Sequence, residues 1–213
     1  MTGRTPRGLL RVVAATSQRP DGLGALARAA AAGEEAAVHT FLVSVGPHLL
    51  RMVRKILGST HPEVEDVVQE CALAVIDALP AHRGECSVLH FVCRIAILVA
   101  MKVRRRERAH KRLSVREDDL GVEQFPSTWP APDAVLSARV TADLVRDLID
   151  TLPLEQAEVF ALHCMAGYTV PEIAESSRAS IETVRSRLRL AKGALRKRVQ
   201  ANGVLEDLAK ESS

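Results

Sequence analysis

Arg185, Arg189, Lys192 and Arg196 recur at four, three and four residues near the end of this chain. Ile181, Val184, Leu188, Ala191, Leu195 and Val199 follow the same rhythm one step around. At 3.6 residues per turn this makes one helix with a packing side and a cationic side. Guanidinium groups so arranged, with the short Thr183 and Ser186 between them, suit a groove of duplex DNA: arginine donates two bonds to guanine or clamps phosphate. A second basic cluster gathers Arg104, Arg105, Arg106, Arg108, Lys111 and Arg112. Asp66, Gln69, Glu70, Leu73 and Asp77 form the opposite kind of surface, an acidic helical strip around one leucine, which suits docking on a basic protein. His82, Cys86, His90 and Cys93 are spaced by four, four and three and offer soft ligands along one helical side. One helix seldom closes a tetrahedral metal site alone, so core filling is the favoured reading and no metal is expected.

The chain has no H-E-x-x-H, no glycine loop that cradles phosphate and no nucleophile motif, which argues against an enzyme and against a cofactor. The four cysteines form no C-x-x-C pair, as expected of a reducing compartment.

The elements that position these residues are marked by their caps. Thr169-Val-Pro-Glu172 fits a capping box with proline in the first turn, Ser180 can cap the next helix, and Ser177-Arg178-Ala179 is the tight joint between them. This is the plan of a helix-turn-helix, whose second helix enters the major groove. Upstream, Leu23 to Ala32 reads as a helix, Gly33 interrupts, and Glu34 to Leu57 continues in helical phase up to Gly58. Thr60-His-Pro-Glu63 repeats the capping pattern and opens the acidic-strip helix, which Pro80 ends. A loop from Ala81 to Ser87 leads into a long helix from about Val88 to the basic cluster.

The chain has 213 residues, 47% hydrophobic and 3% aromatic, with a formal net charge of +3. Ala, Val and Leu supply most of the apolar content, which favours an all-α fold of helices packed on helices. The expected organisation is a disordered tail at residues 1–20, a helical bundle at 21–112, a flexible acidic linker at 113–138, the helix-turn-helix domain at 139–200 and a second tail at 201–213. Proline, glycine and acid mark the linker, and Trp129 is expected to pin it to a surface. No apolar run is expected to approach the roughly 20 residues that span a bilayer, so a soluble, cytoplasmic chain without membrane insertion is anticipated.

Taken together, the two halves resemble the extracytoplasmic-function (ECF) group of bacterial RNA polymerase sigma factors. The first half carries the resemblance through Asp66-Val-Val-Gln-Glu70, Ala81-His-Arg-Gly-Glu-Cys-Ser-Val88 and Phe91-Val-Cys-Arg-Ile-Ala96 running into Arg104 to Arg106. The second carries it through Leu152 to Phe160, Gly167 to Ala174 and Thr183 to Leu188. The resemblance implies a sigma region 2-like bundle and a sigma region 4-like helix-turn-helix. The protein would bind core RNA polymerase, direct it to promoter DNA and assist strand opening, with an anti-sigma factor as a further partner. Asp66, Gln69, Glu70 and Leu73 would dock on the polymerase clamp. Arg83, Gly84, His90, Arg94, Leu98, Lys102 and Arg105 would hold the melted −10 element, and Thr183, Arg185, Ser186, Arg189 and Lys192 would read the −35 element. Phe91, Leu98 and Lys102 depart from the tryptophan, asparagine and acid usual in the group, and Arg178 stands where glycine is common. The rival readings are a free-standing helix-turn-helix regulator and a metal-responsive adaptor built on His82, Cys86, His90 and Cys93.

Overall fold

The computed structural model describes residues 21–117, 145–147 and 149–201, and every regular element among them is helical. The fold is all-α. The expected tails, Trp129 and the linker beyond residue 117 lie outside the described residues.

Helix α2 (Glu35–Leu57) repeats apolar residues at three and four and buries Phe41, Val45, Leu49, Met52, Val53 and Ile56. Helix α1 (Asp21–Ala31), α3 (Val64–Ala78) and α4 (Val88–Glu117) pack around it. With 23 residues and a window of mean hydropathy 1.2, α2 is long and apolar enough to cross a membrane by length and composition, contrary to the expectation that no segment would be. That hydropathy is spent on the core, while Arg51 and Arg54 stay exposed. Gly58 ends α2 with φ 110, a backbone conformation open to glycine and costly for a side chain.

Helix α3 begins at Val64, with no side-chain cap. The capping box expected at Thr60 does not form: the amide of Glu63 donates to His61 Nδ1 at 3.3 Å, and the His61 ring turns to Glu107 on α4. A 3-10 turn, Leu79–Ala81, takes Pro80 in place of a further helical turn. Ser87 then caps α4, its Oγ accepting from the His90 amide at 3.2 Å. Helix α4 runs through 113, where a linker was expected to begin, to Glu117.

Residues 145–147 and 149–150 are helical, and α5 (Leu154–Phe160) follows. It widens into a π turn, Ala161–Met165, in which Ala166 N–H donates to Ala161 O. Helices α6 (Val170–Ser177) and α7 (Ile181–Ala201) are the last of the described elements, with α5 and α6 both packed on α7. The apolar stripe of α7 buries Val184, Leu188 and Ala191, whereas Ile181, expected in it and the first residue of the helix, is 42% exposed. Val199 lies outside the described side chains.

The two halves were expected as separate compact units. Instead one buried cluster runs from Ala27 through Phe41, Ile97 and Ile149 to Leu162 and Ala191, and α4 touches both α5 and the π turn. Phe41 sits at the centre with 0% exposure. Replacing Phe41 by alanine is expected to cost about 3–5 kcal/mol, measured as a lower urea midpoint with an unchanged slope; a cost below about 1 kcal/mol would place the centre of the core elsewhere.

Candidate nucleic-acid interface

The helix-turn-helix forms as its caps require. Thr169 N–H donates to Glu172 Oε2 at 2.7 Å, and Glu172 N–H donates back to Thr169 Oγ1 at 3.5 Å. Hydrogen bonds from the Thr169 side chain and backbone hold the Glu172 carboxyl below its usual range. Arg178 sits at φ 50, ψ 36, the left-handed conformation that glycine would take at lower cost. A Schellman bond from Ala179 N–H to Ala174 O at 3.0 Å closes the turn. Ser180 Oγ accepts from Thr183 N–H at 3.1 Å and starts α7.

On α7, Arg185 and Arg189 are exposed and Thr183, Ser186 and Lys192 half-buried. Arg185 reaches Glu182 at 2.7 Å within the first turn, and Thr183 Oγ1 lies 2.8 Å from Ser180 Oγ. The five residues lie along one stretch of the helix, away from the side buried by Val184, Leu188 and Ala191. The acidic strip of α3 is likewise open: Asp66, Gln69 and Glu70 are exposed, and Leu73 is 68% exposed.

The candidate strand-binding residues of α4 are placed quite differently. Arg83 and Gly84 are exposed in the loop and Lys102 is exposed on the helix, but His90 is 1% exposed. Its ring stacks on Tyr168 with centroids 3.9 Å apart, and its Nε2 lies 3.0 Å from Ser176 Oγ. Arg94 donates to Glu158 Oε1 at 2.6 Å and to Ser176 O at 3.0 Å. Arg105 donates to Leu152 O at 2.9 Å. Next to it, Arg104 makes a two-pronged contact with Asp150, whose side chain is 2% exposed, and Arg108 bonds Asp147 at 3.1 Å. Leu98 is half-buried, and Ile97 and Met101 are fully buried, so the apolar departures in this helix are packing residues.

These partners all come from the second half of the chain. Asp147, Asp150 and Ser176 lie outside the motif stretches, and Glu158 and Tyr168 lie inside them (Leu152 to Phe160 and Gly167 to Ala174) without having been singled out as contacts; an acid inside the apolar run from Ala157 to Leu162 and two acids three apart were the available signals. Arg178 adds a contact to Glu85 at 3.2 Å.

The His82, Cys86, His90 and Cys93 set does not converge. His82 packs on Phe91 with centroids 4.8 Å apart, His90 is taken by Tyr168, and Cys93 is buried against the same tyrosine. Burial pushes the Cys86 and Cys93 thiols up, away from the thiolate that would bind metal. Among the described residues no three His, Cys, Asp or Glu side chains gather as a metal site.

Residues 41–110 match the family described as Sigma-70 region 2, and residues 142–195 match Sigma-70, region 4. The ECF RNA polymerase sigma factor ShbA of Streptomyces griseus subsp. griseus is 30% identical over 158 residues, covering 70% of this chain and 81% of that protein. The chain belongs to the ECF RNA polymerase sigma factors. The sigma factor SigD of Mycobacterium tuberculosis is 26% identical over 182 residues, 83% of each chain. The fold is also that of CnrH, solved in complex with the cytosolic domain of CnrY, at a TM-score of 0.51 and 21% identity over 83% of this chain and 96% of that one. A sigma factor binds core RNA polymerase, brings it to promoters and assists strand opening; the family is not one of enzymes.

In this sigma factor the seam between the halves should respond to pH. Burial first, then the Arg94 charge, lowers the His90 pKa to about 4, with Glu172 opposing. The unfolded chain therefore binds one more proton between about pH 6.5 and 4, so this contribution is complete above 6.5 and is lost as pH falls toward 4, up to about 3 kcal/mol. Unfolding free energy measured across that window should fall less steeply in a His90→Gln variant than in the parent; identical slopes would show that His90 is not buried in neutral form.

Proposed function

We propose that the described form is the resting form of this sigma factor, and that the promoter is engaged only after the second half leaves α4. Residues 21–112 act as the polymerase- and −10-binding module and residues 139–200 as the −35-binding module. Thr183, Arg185, Ser186, Arg189 and Lys192 read the duplex, and Asp66, Gln69, Glu70 and Leu73 meet the polymerase clamp. Arg83, Gly84, His90, Arg94, Leu98, Lys102 and Arg105 serve the melted strand, with Leu98 acting through packing. The observation that carries the reading is the double use of α4: three of the candidate strand-binding groups, His90, Arg94 and Arg105, are also held by Tyr168, Glu158 and Leu152.

A guanidinium bonded to a carboxylate offers that same fork to phosphate, so the two partners compete for it. The exposed −35 and clamp surfaces let the protein meet polymerase and duplex first, and strand capture follows separation of the halves. An anti-sigma factor that gripped both modules would prevent that step. Action on polymerase places the protein in the cytoplasm.

Reversing charge at Asp66 and Glu70 should abolish transcription with core polymerase while leaving the fold intact by circular dichroism; unchanged transcription would remove the clamp assignment. Arg189→Ala should weaken −35 binding by about 1–3 kcal/mol if the arginine reads a base. Equal loss on every duplex would reassign it to the phosphate backbone. Asp150→Asn, which removes the buried carboxylate shared by Arg104 and Arg108 and leaves them only Asp147, should loosen the seam and raise binding of the free protein to single-stranded −10 DNA; equal or weaker binding by a folded Asp150→Asn protein would sink the resting-form reading.

A further inference from the structure

The outer side of α4 is built from few kinds of residue. Phe91, Ile95, Leu98 and Lys102 follow one another at four, three and four residues, so they share one side of the helix. None of the four is buried and Lys102 is exposed, whereas Val92, Ala96, Ile97, Ala100 and Met101 on the other side are buried. At the head of this stripe the His82 and Phe91 rings meet with centroids 4.8 Å apart. Arg83 and Gly84 stand exposed in the loop that follows His82. Among the described residues Arg83 and Lys102 form no ion pair with a carboxylate.

The residue types present decide how such a surface can treat a base. An unstacked base is told from its rivals by hydrogen bonds to its edges, and Asn and Gln are the side chains that match adenine two bonds at a time. Residues 81–110 contain no Asn, Gln, Thr, Tyr or Trp. The other acceptors are engaged: Ser87 Oγ accepts from the His90 amide at 3.2 Å, His90 faces the seam against Tyr168, and Glu107 pairs with His61. Glu85 pairs with Arg178, and its charge is repelled by the phosphates on either side of any base it could read. Arginine and lysine carry donors only, which suit phosphate oxygens or guanine.

We infer that this stripe grips unpaired DNA without choosing among adenine, cytosine and thymine. The rings of His82 and Phe91 and the ledge of Ile95 and Leu98 take base faces, while Arg83 and Lys102 take phosphates. Every nucleotide has a flat face and a phosphate, so this mode of contact is tolerant of sequence. Choice of promoter then falls on α7, whose exposed arginines and short hydroxyl side chains can reach the base edges of a duplex. The inference rests on the reading of this loop and helix as the surface for the melted strand, and adds that the surface supplies grip and not sequence choice. The stripe is open in the resting form, so it gives a weak baseline of binding that release of Arg94 and Arg105 raises.

The test is fluorescence anisotropy of the full chain at low salt with a labelled single-stranded DNA of mixed sequence, about twelve nucleotides long. Variants of the strand carry adenine, cytosine or thymine in turn at each central position. Affinities are expected to agree within about threefold across the set. R83Q/K102Q should weaken all of them alike, on the order of tenfold. Leu98→Asn, which places an amide on the ledge, should create a preference for adenine of about fivefold or more at one position. A preference beyond about threefold among the three bases in the parent protein overturns the tolerance and leaves the strand assignment standing. Failure of the parent to bind, or equal binding by a folded R83Q/K102Q protein, removes the strand from this surface and the inference with it. A Leu98→Asn protein as tolerant as the parent places the bases off the ledge and overturns the packing mode.

Discussion

The arrangement depends on the pairing of α4's arginines with acids across the seam, above all Arg104 with Asp150. Asp150's side chain is 2% exposed, so its charge has no water to fall back on and must be met by a guanidinium. Coulomb attraction in such a place is largely offset by the desolvation of both ions, so the pair adds little net stability yet is costly to break from one side. That asymmetry gives a seam that is specific in register and modest in strength. An incoming polyanion that satisfies the arginines, together with water that reaches Asp150 as the seam opens, replaces both halves of the bargain at once.

Apolar packing sets where those charges meet. Helix α4 buries Val92, Ala96, Ile97, Ala100 and Met101 toward the rest of the chain, which leaves Arg94, Arg104 and Arg108 along the side that the second half covers. The contact between the halves mixes one aromatic stack, His90 on Tyr168, with ion pairs and bonds to carbonyls. Contacts between domains that must part are generally of this polar kind, since an all-apolar face would expose its whole area to water on separation. The continuous buried cluster is therefore compatible with two functional modules whose shared boundary is the polar part of the packing.

Residues whose partners are near in sequence were legible before any coordinates. The capping box at Thr169, the cap at Ser180, the exposed arginines of α7 and the open acidic strip of α3 all follow from spacing within one or two turns. The Thr60 cap failed because His61 offered its own nitrogen to the same amide, a competition that composition does not rank. The seam was illegible for a different reason. Asp150 and Arg104 are 46 residues apart, and nothing in the periodicity of either helix states which foreign surface it will face. Arginine spacing shows that a face is cationic; whether carboxylate or phosphate answers it is a property of the tertiary arrangement.

Arg178 shows how closely the helix-turn-helix joint and the loop before α4 are tied in this structure. Without glycine its left-handed backbone costs about 1 kcal/mol, and the Schellman bond from Ala179 to Ala174 returns a comparable amount by satisfying a helix-end carbonyl. The side chain then pairs with Glu85, one residue beyond Gly84 in the loop assigned to the melted strand. This pair is exposed at 69% and 40%, so it adds little stability and is screened by salt. Its effect is geometric: the joint of the helix-turn-helix is fastened to the loop for which we propose a role in holding single-stranded DNA. On the proposed separation of the halves both ends of that contact are freed together, so the turn that positions α7 and the loop proposed to hold the melted strand are coupled through one ion pair.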